Sequence, residues 1–111
     1  MQPSSLERAV INWLIAHTTD TALKHQLRGA TVVERDHTIV GQYSDLRPPP
    51  DSAPVFGLTV VDGPEIRAPG LEHGAGCHLA LERGLLDYLE FFSYGEHFPV
   101  DPEDFTLVTT E

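Results

Sequence analysis

Six histidines and a single cysteine among 111 residues are the first place to look for chemistry. His73, Cys77 and His78 stand together as H-x-x-x-C-H. Zinc accepts both ligand types, but its sites use spacings that aim the side chains at one point. An extended segment sends Cys77 and His78 to opposite faces, so they cannot share an ion. Cys77 falls instead on the face of Leu79 and Leu81, the usual setting of a small buried thiol. A nucleophilic thiolate needs electropositive surroundings, and the C-terminal half of this chain is acidic. His17, His25, His37 and His97 fall on separate elements. No G-x-S-x-G, P-loop, dinucleotide fingerprint or HExxH run is present. Gly70, Gly74 and Gly76 lead into a strand, whereas a phosphate cradle leads into a helix. The expectation is no catalytic residue, no metal and no cofactor.

One carboxylate stands apart. In the run Leu85–Tyr94, strand alternation puts Leu86, Tyr88, Glu90, Phe92 and Tyr94 on one face. Leu85, Asp87, Leu89, Phe91 and Ser93 take the other. Asp87 and Glu90 differ in parity and form no acid/base pair. A buried Glu90 requires an arginine or a backbone donor as partner. On an open face it becomes the acidic centre of an aromatic patch, a composition typical of interface hot spots. Both readings stand at this point.

Charge narrows the partners. Residues 1–50 balance five acids with five bases, while residues 51–111 carry twelve acids against Arg67 and Arg83, the whole net −10. Such a half repels nucleic acid and steers a basic protein towards itself at low salt. Acidity of this kind also serves solubility alone. The apolar runs are too short to span a membrane, and residues 1–20 lack the marks of a secretory signal. With one cysteine and therefore no internal disulfide, a cytoplasmic protein is expected.

The length suits one domain, 1–111, around one core. Ser4 and Glu7 have capping-box spacing, and Leu6, Ala9, Val10, Trp13, Leu14 and His17 follow a helical stripe widened by Ile11 and Ile15. A second helix over Thr21 to Arg28 starts at Asp20 and closes on Gly29. After Gly29 the period becomes that of strands. Thr31–Arg35 and Thr38–Tyr43 flank a turn at Asp36-His37, and Gly41 marks a bulge or a close backbone approach. A stiff proline-rich connection, Arg47 to Pro54, leads to a third strand over Val55–Val61 and a short return strand over Glu65–Ala68. A hairpin over Gly74–Gly95 turns at Glu82-Arg83-Gly84, and Phe105–Val108 closes the chain as an edge strand. The fold expected is α+β, an N-terminal helical hairpin (1–29) packed on an antiparallel β-meander sheet of about five to six strands (30–111). Leu85, Leu89 and Phe91 are expected beneath the helices.

The runs Gly74-x-Gly76-x-x-Leu79, Gly84-Leu85-Leu86-Asp87-x-Leu89-Glu90 and Tyr94-Gly95-x-x-x-Pro99 resemble a group of small bacterial α+β proteins. Some of these are similar to the acidic immunity proteins that accompany polymorphic toxins. The resemblance spans most of the chain; members of the group are generally of uncharacterised function and offer no accepted catalytic residues to carry over. Together with the acidic charge and the aromatic strand face, the expectation is a non-enzymatic protein-binding module, most concretely an immunity-type inhibitor of a basic toxin domain, with Tyr88, Glu90, Phe92, Tyr94, Glu96, Asp101, Glu103 and Asp104 as its partner-binding residues. The alternatives are a small-molecule or metal-binding domain using His73, His78 and Glu90, and a homodimer joined through the same aromatic face.

Overall fold

Helix α1 (Ser5–His17) begins where the sequence places it. Ser4 Oγ accepts from the Glu7 N–H at 3.2 Å while Glu7 Oε1 accepts from the Ser4 N–H at 2.7 Å, closing the capping box. The buried side of α1 is Leu6, Val10, Ile11 and Leu14, with Glu7 among them. Asp20 caps α2 (Thr21–Arg28) through the Leu23 N–H at 2.9 Å. Gly29 ends α2 with φ −103°, outside the left-handed region. Glycine is required there by crowding, because a Cβ would lie 2.3 Å from Pro49 Cγ.

The computed structural model describes residues 1–109. Behind the helices stands an antiparallel sheet of β1 (Thr31–His37), β2 (Gly41–Arg47), β3 (Val60–Asp62), β4 (Glu65–Arg67), β5 (Ala75–Glu82), β6 (Leu85–Ser93) and β7 (Thr106–Val108). The expected α+β class is therefore observed, with seven strands in the order β1-β2-β6-β5-β4-β7 and β3 also paired to β5. Neighbours in space are not always neighbours in sequence, since β2 pairs with β6. β3 and β4 follow one another along the same edge of β5, around Gly63 and Pro64. The edge strand expected near Phe105–Val108 is β7, against β4. No helix among the described residues is long and apolar enough to cross a membrane.

Three local expectations are corrected. The first turn lies at Thr38–Val40 instead of Asp36-His37, which belong to β1. Its position is fixed from outside, for the carbonyls of Ile39 and Val40 accept from the N–H groups of Phe98 and Ser93 at 2.9 and 2.7 Å. Three β-branched residues, Thr38, Ile39 and Val40, thus sit at a hairpin tip against their propensity. The third strand shrinks from Val55–Val61 to Val60–Asp62. Its partner β5 ends at Glu82, and the last link is Leu81 N–H to Thr59 O at 2.8 Å, so earlier residues have no strand to join. Val55 still buries its side chain and donates to Gly84 O at 2.8 Å.

The third correction concerns β6. Leu81 pairs with Leu86 but Ala80 pairs with Tyr88, leaving Asp87 as the extra residue of a bulge. One inserted residue reverses strand parity. Leu86, 5 % exposed, therefore faces the helices together with Leu89 and Phe91, while Leu85 is 38 % exposed. Gln26 of α2 braces this irregular end. Its amide donates to Ala53 O and Gly84 O, both at 2.9 Å, and its oxygen accepts the Leu86 N–H at 3.0 Å. The β5–β6 turn has Arg83 at φ 53° and Gly84 at φ 81°, the positive pair that suits a tight hairpin.

Candidate binding site on the open sheet face

A central carboxylate lies against each face of the sheet, Glu7 from α1 on the inner face and Glu90 of β6 on the outer. On the inner face Glu7, 0 % exposed, reaches from α1 to β1 and β2. Arg35 donates Nε to its Oε2 at 2.8 Å and Nη2 to its Oε1 at 2.7 Å; Ser44 Oγ donates at 2.6 Å and Gln42 Nε2 at 3.3 Å. Burial by itself pushes the Glu7 pKa up. Hydrogen bonds from Arg35, Ser44 and the Ser4 backbone, with the Arg35 charge, more than offset it and leave the carboxyl below its ordinary value. This carboxylate is a structural rivet.

The helices cover only the inner face. Register defines the outer one: Glu90 lies opposite Tyr43 on β2 and opposite His78 on β5, with Tyr88 and Phe92 before and after it on its own strand. All four of its neighbours on that face are rings. His78 Nε2 meets Glu90 Oε1 at 2.8 Å. The Glu90 carboxylate, as hydrogen-bond acceptor and then as charge, raises the Tyr43 phenol above its ordinary pKa. Tyr43 and Tyr88 meet edge to face at 5.5 Å, His78 and Phe92 stand 5.9 Å apart, and Tyr94 closes on Phe92 at 6.0 Å. Gly76 provides the floor for Phe92, since a Cβ there would lie 2.4 Å from the ring.

Acids surround these rings. Asp36 pairs with Tyr43 on β1, Asp45 with Tyr88 on β2 and Asp62 with His78 on β3. At the bulge, desolvation and the charges of Glu82 and Asp45 raise the Asp87 pKa. By register Arg47 lies at one end of this face and Arg67 at the other, the latter held by Glu65 at 3.2 Å.

The structure divides the residues singled out from the sequence. Tyr88, Glu90, Phe92 and Tyr94 assemble on the outer face. Glu96 turns back to accept from the N–H groups of Glu72 and His73, pinning the loop before β5. Asp101 and Glu103 flank a cleft of about 540 Å³ beside the α1 N-terminus, on the other side of the sheet from Glu90. Asp104 is exposed on that segment. The cleft is also lined by Arg35, His37 and Gln42, but each already bonds to its own chain, His37 through Phe98 O at 3.0 Å.

Sequence reasoning missed Tyr43. Its alternation within β2 was visible, but its meeting with Glu90 depends on a pairing that spans about half the chain. His78 and Glu90 meet in mid-sheet while the His73 N–H serves the Glu96 loop, and no group of three or more His, Cys, Asp or Glu among the described residues converges on a metal position. Cys77 is buried, donates to Pro64 O at 3.2 Å, and has its pKa pushed to about 12 by desolvation. No protein-family model, curated protein or solved structure matches this chain.

Proposed function

We propose that the chain is a non-enzymatic protein-binding module whose open sheet face docks a basic protein. The most concrete form of this reading is an immunity-type inhibitor of a bacterial toxin domain, acting in the cytoplasm. The observation that carries it is one-sided coverage of the sheet. A ring of aromatic side chains centred on Glu90 is left without a covering element among the described residues and is bordered by Asp36, Asp45 and Asp62. Aromatic side chains supply contact area at small entropic cost, and the surrounding acids steer a cationic surface and reject an acidic one. The excess of acids in residues 51–111 extends the same field.

Affinity capture from a native-host extract at low salt, read by mass spectrometry, tests this. The expected result is one retained protein of net positive charge, released as salt rises and retained at least tenfold less by the Tyr94→Ala variant. Failure to retain a basic protein, or retention indifferent to Tyr94, removes the proposal.

A further inference from the structure

Resting on that reading, and deepening it, we infer that Glu90 and the four rings around it form a seat for one arginine side chain of the basic partner. Glu90 is about as buried as the rings His78, Tyr88 and Phe92 around it, its side chain 23 % exposed, while Tyr43 beside it is exposed. With rings on all four sides, a group reaching the carboxylate passes between ring edges. Tyr43 and Tyr88 brace one another, and Phe92 is held between His78, Tyr94 and the Gly76 backbone. The walls are thus ordered before anything binds, which lowers the entropic cost of association.

A guanidinium fits this chemistry better than an ammonium. It is planar, stacks on aromatic faces, sheds water more easily, and presents a fork of donors to a carboxylate. Glu7 shows the match within the same molecule, with Arg35 bound to both its oxygens. Among the described residues no arginine or lysine reaches Glu90; its contacts are His78 Nε2 at 2.8 Å and the Tyr43 phenol. A second copy of this chain is a poor source of the arginine. Pairing two identical faces sets the acid-bordered face of one copy, with Asp36, Asp45 and Asp62, against the same face of the other, and each chain carries net charge −10.

The test titrates the whole protein with a blocked Gly-Arg-Gly peptide, followed by amide and aromatic NMR shifts. Matching peptides carry lysine or citrulline in place of arginine. Shifts concentrated at Tyr43, His78, Tyr88, Glu90 and Phe92 are expected, with at least fivefold weaker binding for lysine and none for the neutral citrulline. Glu90→Gln is expected to weaken arginine binding at least tenfold while lowering the melting temperature by less than about 5 °C. Tyr43→Leu is expected to bring arginine and lysine close to parity. Shifts scattered over the acidic surface, equal response to arginine and lysine, or undiminished binding by Glu90→Gln overturns the seat. The two readings fail separately. A basic protein captured as well by Glu90→Gln as by the parent chain removes the seat alone. Arginine binding at Glu90 without any captured basic protein removes the docking reading alone.

Discussion

Glu7 and Glu90 make a controlled comparison, one carboxylate on each face of the same sheet. Glu7 is fully enclosed and its oxygens accept from Arg35, Ser44, Gln42 and the Ser4 backbone. Glu90 is partly exposed and is met by His78 Nε2 and the Tyr43 phenol, with no arginine fork among the described residues. A carboxylate without solvent must have its charge and lone pairs met from within the chain. One at the mouth of an aromatic patch meets that need through water, and can exchange water for a ligand. The inner acid belongs to stability; on the proposed reading the outer one belongs to recognition.

The largest expected break in this comparison is Arg35→Ala, which leaves a buried charge without its counter-ion and costs roughly 3–5 kcal/mol in urea unfolding. The same measurement on Glu90→Gln is expected to show less than about 1 kcal/mol, since the pair with His78 keeps access to solvent and such pairs contribute little. Equal losses would erase the distinction. Acid titration of stability examines the same contrast. The folded pKa of Glu7 lies below its unfolded value, so its contribution is present above the unfolded pKa and is lost as pH falls through the folded one. Arg35→Ala should flatten that acid limb and Glu90→Gln should leave it in place.

The next largest effect tests the bulge that decides which β6 residues face which way. Leu86→Ala is expected to cost roughly 2–4 kcal/mol as a core truncation, and Leu85→Ala under about 1 kcal/mol as a surface one. Uninterrupted alternation requires the reverse ranking. The smallest effect is Asp87→Asn. The folded pKa of Asp87 is raised, so ionisation opposes folding as pH climbs through its carboxylate range. The amide is expected to gain a few tenths of a kcal/mol at neutral pH, roughly the scale of exposed charge pairs, with no gain at low pH where the acid is already neutral. Differential scanning calorimetry at two pH values resolves it.

What the sequence discloses follows how local each signal is. Ser4, Glu7 and the Leu6–Leu14 stripe act within a few residues of one another, and α1 is as read. The turn at Gly84 and the close approach at Gly41, where a Cβ would lie 2.2 Å from Phe91 O, were also legible from glycine placement. The turn at Thr38–Val40 was not, because its anchors, Ser93 and Phe98, lie more than fifty residues away. Nor was the bulge, because Leu85 and Leu86 are identical in type and only the register against β5 separates them. Tyr88, Glu90, Phe92 and Tyr94 were legible as a set because they lie beyond the bulge. Glu7 was legible as a cap but not as the partner of Arg35, a contact that waits on the docking of α1 against the sheet.

The β2–β6 pairing has a kinetic consequence. β1–β2 and β5–β6 are hairpins that each close over a short turn, whereas joining β2 to β6 closes a loop of some forty residues. Long closures come late, when loop entropy is met by the contacts they permit. Glu90 and His78 lie on one hairpin and Tyr43 on the other, so the ring around Glu90 is incomplete until that seam forms. A ligand spanning the seam ties the two hairpins together, and saturation with it slows their separation.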